Sequence, residues 1–163
     1  MIENSYIKAI ANQYADSLGN LKSYQLPKDG AGAILRNIIE KHKGKYLLLD
    51  FWGTFCGPCT GMIKTMSKWR ELNRENPDFK FIFITGMAES PDNQYNDFVA
   101  NELLGEESHR LSNEDFGVVK DHFNISGFPR YMLVGREGEI VNDDYEPIVL
   151  NQDLEELGVT FYQ

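Results

Sequence analysis

Two cysteines, Cys56 and Cys59, stand three positions apart in a chain of 163 residues that has no others. They fall at a junction that constrains the fold strongly. Before them runs an apolar stretch, Leu47 to Leu49 with Phe51 and Trp52, which suits a strand covered on both faces. Gly53 and Thr54 end it. After them Gly57 and Pro58 open a helix whose apolar positions are Met62, Ile63, Met66, Trp69 and Leu72, at spacings of three and four. Strand, sharp turn and helix thus place Cys56 at a helix N-terminus and Cys59 one turn further in.

That placement has chemical consequences. A free thiol ionises near pH ~8.5, and the first helical turn supplies partial positive charge and unpaired N–H groups. Both favour a thiolate at Cys56. Cys59 is expected to be more buried, yet close enough to join it in a disulfide. Such a pair can cycle: Cys56 attacks a substrate disulfide, and Cys59 resolves the mixed disulfide. A Cys-x-x-Cys pair can also be half of a zinc site, but a strand before it and a helix after it favour redox chemistry. Zinc needs four ligands. Beyond the cysteines only His42, His109 and His122 could contribute, and each reads as a surface histidine.

Composition narrows the partners. With 42% hydrophobic and 12% aromatic residues the chain can build a core, and its length suits one domain. The net charge of −9 argues against nucleic acid and anionic membranes. No apolar run approaches the roughly 18 residues that a membrane span requires. The N-terminus shows no basic region followed by an apolar one, so no export signal is read there. That leaves either a cytoplasmic protein or a domain separated from its leader.

Taken in order, Ile2, Tyr6, Ile7, Ile10, Ala11, Tyr14 and Leu18 predict an amphipathic helix over residues 3–18. A loop follows through Pro27 and Gly30, and a second helix covers 33–41, stopped by Gly44. The strand over 46–52 and the cysteine helix come next. The strand over 80–85 then makes a right-handed parallel crossover with the first. Tyr95, Phe98, Val99, Leu103 and Leu104 predict a helix ending at Gly105, and a short extended piece is allowed around 109–111. Ser112 or Asn113 caps a helix that runs to about Phe123. Phe128-Pro129 precedes a strand over 130–134, a turn over 135–138 and a second strand over 139–142, an antiparallel hairpin. A short helix closes the chain over 150–157.

Three features in this order resemble the thioredoxin superfamily: Asp50-Phe51-Trp52, Cys56-Gly57-Pro58-Cys59, and Phe128-Pro129 before the terminal hairpin. The unit between the second strand and the helix at 113–123 is similar to that of the TlpA/ResA branch of thiol–disulfide oxidoreductases. The resemblance implies an α/β fold with three α/β/α layers, a mixed central sheet, an inserted helical segment and an extra N-terminal helix. A single domain is expected over 1–163, its core spanning about 30–145 behind an N-terminal extension over 1–29.

The resemblance also implies roles. Cys56 is the nucleophile, Cys59 the resolving thiol, and Asp50 a buried acid that moves a proton to or from Cys59. Buried carboxyls hold their protons more tightly, which makes that role physically sound. Pro129 matches a cis-proline, with Phe128 beside it offering backbone groups to a substrate strand. Trp52, Phe55, Gly57 and Pro58 border the site. No cofactor or metal is implied. The partners are oxidised protein substrates and an upstream thiol–disulfide partner, and a monomer is expected. The branch implies a periplasmic or otherwise extracytoplasmic setting. Lys64 stands where thioredoxins often have a helix proline, so the cysteine helix is expected to be less kinked. Two alternatives stay open: a thiol peroxidase, although Gly53 rather than Thr54 lies three residues before Cys56, and a non-catalytic binding module.

Overall fold

Period-two alternation along the central strands decides which side of the sheet each residue joins. A computed structural model of the protein describes residues 23–163. Its central strand, β1 (Tyr46–Phe51), pairs in parallel with β2 (Phe79–Gly86), which pairs in parallel with β3 (Ser108–Leu111). On its other side β1 runs antiparallel to β4 (Arg130–Val134), and β4 antiparallel to β5 (Ile140–Asn142). The order across the mixed sheet is β3-β2-β1-β4-β5. Tyr24 adds a single antiparallel bridge to Ile140 at the β5 edge.

Helices cover both faces. Leu47, Leu49 and Phe51 join Ile82, Ile84, Met132 and Val134 against α1 (Gly30–Ile39) and α5 (Asn113–His122). Leu48 and Trp52 join Phe79, Phe81, Phe83, Tyr131 and Leu133 on the opposite face. There they meet α2 (Gly57–Thr65) and α6 (Leu150–Glu156), with α4 (Asp92–Asn101) packed alongside. Asp50 shares the Leu48 and Trp52 face by the same alternation. The three layers, the mixed sheet and the helical segment between β2 and β3 match the fold that the resemblance implies. The helix expected over residues 3–18 lies outside the described residues.

Helix termini follow local chemistry. Ser112 caps α5, its hydroxyl accepting the Asp115 N–H at 3.1 Å. Asn113 instead accepts the Ala88 N–H at 2.8 Å, tying α5 to the loop after β2.

The cysteine helix differs from expectation. It breaks at Met66, and α3 (Ser67–Leu72) continues beyond. No proline is involved. The Ile63 carbonyl instead accepts a hydrogen bond from Arg70 Nη2 at 3.2 Å. The inward stripe continues through the break at helical spacing, but it is not the apolar one. Met62 and Leu72 are exposed, whereas Cys59, Ile63, Met66, Arg70 and Asn73 are buried. His109 likewise departs from a surface reading. It lies half-buried on β3, and burial pushes its imidazole pKa down.

Helix α1 lies directly against the preceding loop. A Cβ at Gly32 would stand 1.9 Å from the Pro27 carbonyl oxygen. Helix propensity alone favours alanine over glycine by about 1 kcal/mol. The collision reverses that sign, and Gly32→Ala is expected to lower unfolding stability by about 1–3 kcal/mol. Urea denaturation measures the difference.

Candidate active site: a disulfide and a buried carboxyl

The cysteine turn is built by the end of β1. Trp52 N–H still donates to the Ile84 carbonyl at 3.0 Å, and the Cys56 N–H then closes a turn onto the Gly53 carbonyl at 3.1 Å. Glycine suits position 53, because a Cβ at Gly53 would press on the Glu89 carbonyl oxygen at 3.0 Å. Cys56 becomes the N-cap of α2, with Pro58 in the first turn.

Cys56 and Cys59 are joined in a disulfide, with Cα atoms 5.2 Å apart. The Cys59 N–H donates to Cys56 Sγ at 3.2 Å. The helix N-terminus therefore already points a donor at the outer sulfur, the arrangement that stabilises a thiolate once the bond opens. The two sulfurs differ in access. Cys59 is 0% exposed, whereas Cys56 is only partly covered, in a shallow depression of about 400 Å³ that also contacts Phe55, Pro58 and Phe128. Phe55 is 69% exposed and forms an apolar rim.

On the sheet face that Cys59 also joins, several buried polar groups lack partners. Asp50 is 1% exposed, and neither carboxylate oxygen has a hydrogen-bond partner. Burial pushes its pKa up to about 8, partly opposed by the Arg70 guanidinium. Tyr131 faces Asp50 across the β1–β4 register, and its hydroxyl is also buried without a partner. Burial and the nearby Asp50 both push the Tyr131 pKa up. Trp52 Nε1 is a further buried donor without a partner. Trp52 itself corrects an expectation. It is 0% exposed and packs on Tyr95 and Phe98 of α4, so it does not border the site at the surface.

The Phe128–Pro129 peptide is cis. Phe128 stacks on Phe116 of α5, with ring centroids 5.9 Å apart, and lines the depression around Cys56. Pro129 lines a second, apolar groove of about 540 Å³ on the other side. Met62, Trp69, Tyr131, Tyr145 and Ile148 form its walls. Tyr145 is fixed there by a 2.6 Å hydrogen bond to the buried Asp153. Ile148 and Met62 are exposed on its rim.

The structure thus brings Cys56, Cys59, Phe55, Gly57, Pro58, Phe128 and Pro129 together at one end of the sheet, with Asp50 and Trp52 buried on the sheet face that Cys59 also joins. Sequence reasoning missed Tyr131 and Arg70. Tyr131 could have been found by counting two residues past Pro129, but only with the β1–β4 register known. Arg70 continues the stripe Cys59, Ile63, Met66 at helical spacing, a signal present in the sequence.

Two alternatives meet specific geometry. Thr54 Oγ1 lies 3.3 Å from the Glu89 carbonyl and 3.0 Å from Gln94 Oε1, both acceptors for its hydroxyl. Among the described residues, no three His, Cys, Asp or Glu side chains stand close enough together to hold a metal ion.

Sheet, helix and cysteine turn together define an oxidoreductase of the Cys-x-x-Cys kind. A thioredoxin-like family model matches residues 44–140, and the chain belongs to that family. No curated protein matches it. Several solved structures are similar. A protein of Bacteroides vulgatus assigned as a thiol–disulfide oxidoreductase is 26% identical, with a TM-score of 0.53 over 74% of this chain and 78% of that one. The thioredoxin domain of another thiol–disulfide oxidoreductase of Bacteroides vulgatus is 24% identical, with a TM-score of 0.57 over 75% and 84%. A thiol–disulfide oxidoreductase of Bacteroides fragilis is 19% identical, with a TM-score of 0.58 over 71% and 82%. The last two establish likeness of fold.

Proposed function

We propose that the protein reduces disulfides in other proteins through the Cys56–Cys59 pair. The observation that carries this reading is the asymmetry of the pair: one sulfur is reachable and faced by a helix N–H, and the other is sealed in the core. In the reduced protein the Cys56 thiolate attacks one sulfur of a substrate disulfide. An S–S bond forms to Cys56, the substrate S–S bond breaks, and the departing sulfur takes a proton. Cys59 then attacks Cys56 Sγ, closing the enzyme disulfide and releasing the second substrate thiol. Two electrons pass to the substrate.

Asp50 serves the second step. A thiol as buried as Cys59 ionises reluctantly, because its thiolate would lie in apolar surroundings. A carboxyl poised near pH 8 can accept that proton while Cys59 attacks and return it in the reverse reaction. Phe128, Pro129 and Phe55 frame the approach of the substrate, and the apolar groove beyond Pro129 suits side chains flanking the substrate cysteine. The relative 26% identical to this chain, assigned as a thiol–disulfide oxidoreductase, supports the class of reaction. The TlpA/ResA resemblance supports an extracytoplasmic setting. No described helix is long and apolar enough to cross a membrane.

Cys59→Ser is the direct test. That variant keeps the attacking sulfur and loses the resolving one, so it is expected to accumulate a mixed disulfide between Cys56 and an oxidised protein such as insulin. Mass spectrometry of the non-reduced adduct reads the result. Absence of adduct from a folded, reduced variant overturns the reading.

A further inference from the structure

We propose that Arg70 is a positioning residue for the buried acid: a cation enclosed in the core on the Asp50 face, whose charge sets how readily Asp50 gives up its proton. The proposal rests on the reading above only for its consequence in turnover.

The geometry is specific. Arg70 is 6% exposed, deep for a residue that keeps its charge in folded proteins. Its Nη1 donates to the Glu102 carbonyl at 2.9 Å and its Nη2 to the Ile63 carbonyl at 3.2 Å. The Ile63 carbonyl comes from the turn where α2 breaks, so the helix break and the arginine belong to one arrangement. The guanidinium lies over the Phe83 ring, 5.8 Å from its centroid. Phe83 is the β2 partner of Asp50 in the parallel register. Arg70 Nε is buried and has no partner.

The groups around Asp50 are few. From α2 the disulfide-bonded Cys59 sulfur shares its face, from α3 Arg70 reaches over Phe83, and from β4 Tyr131 lies across the register, with Glu146 beyond it. Phe83, from β2, does not titrate. Arg70 is the charge that pulls the Asp50 carboxyl back toward ionisation against burial. Arg70 itself is faced by Glu102, whose Oε2 lies 3.5 Å from Nη2, and more distantly by Arg74 and Glu107. Glu102 therefore competes with Asp50 for the same cation. Removing Arg70 and removing the Glu102 charge should move Asp50 in opposite directions, whereas loss of a purely structural tie would not.

The experiment follows the Asp50 carboxyl carbon by NMR in the oxidised protein, titrated through the neutral and alkaline range. Arg70→Met is expected to raise the Asp50 midpoint by about one pH unit. Arg70→Lys, which restores the charge, is expected to return it toward the wild-type value. Glu102→Gln, which frees the cation, is expected to lower it. An unchanged midpoint in Arg70→Met, or equal shifts in the Met and Lys variants, overturns the proposal. If Arg70→Met fails to fold, Glu102→Gln decides: a fall supports the coupling, and no change or a rise overturns it. None of these titrations requires turnover, so they stand apart from the Cys59→Ser trapping result. A coupled Asp50 midpoint without mixed-disulfide formation would keep the Arg70 assignment and remove the oxidoreductase reading.

Discussion

Cys56→Ser is expected to bring reduction of insulin disulfides down to the uncatalysed rate, a loss of roughly three orders of magnitude or more. The reason is chemical. A serine oxygen cannot form a disulfide, and its hydroxyl ionises far above any working pH. The fold is expected to survive, because serine is a favoured N-cap and can accept the same Cys59 N–H that Cys56 Sγ accepts at 3.2 Å. Circular dichroism and turbidity of precipitating insulin separate the two effects. Undiminished reduction by the folded variant would reject Cys56 as the nucleophile. Cys59→Ser and Cys56→Ser make a pair with different signatures, since the first stalls after attack and the second never begins.

Asp50→Asn is expected to stabilise the oxidised protein on the order of 5 kcal/mol in alkaline solution and by close to nothing in acid. An unfolded aspartate loses its proton near pH ~4, whereas the folded Asp50 keeps it until about 8. Between those values the unfolded chain binds fewer protons than the folded one, so stability falls as pH rises. The full penalty is present above the folded pKa, and it disappears below the unfolded one, where both states are protonated. Asparagine resembles the protonated acid and escapes the penalty. Urea denaturation of both proteins at an acidic and an alkaline pH reads the difference. An equal effect at the two pH values would show that the carboxyl does not titrate as a buried acid. Strongly perturbed buried acids cluster at functional sites, which agrees with a proton-handling role for Asp50.

Both expectations concern residues that were conspicuous before any coordinates. Cys56, Cys59, Asp50 and Pro129 could be picked out because their signals are local: a fixed spacing, a charge inside an apolar run, and an X–Pro bond before a hairpin. The crossover from β1 to β2 and the hairpin of β4 and β5 were legible for the same reason, since each depends on a run of apolar residues and the turn next to it. The cysteine helix was read less well. Met62 and Leu72 were assigned to its buried face, yet the inward stripe runs Cys59, Ile63, Met66, Arg70 and Asn73. Hydrophobicity alone misplaced the stripe, because two of its five members are polar and are buried only where partners exist. Asn73 is held by the Trp69 and Tyr162 carbonyls, and Arg70 by those of Glu102 and Ile63.

The sequence by itself determined the chemistry at the surface of the site. Thiols three residues apart at the start of a helix can join and part whatever surrounds them, and the strand beside them is set by its own apolar run. Only the tertiary structure decided what lies underneath. The antiparallel register put Tyr131 opposite Asp50, the packing of α4 sealed Trp52, and the Glu102 and Ile63 carbonyls gave Arg70 its partners in the core. Those placements rest on pairings between residues far apart in the chain. Burial in particular is a property of the folded whole, and it is burial that moves the Asp50 proton toward neutral pH.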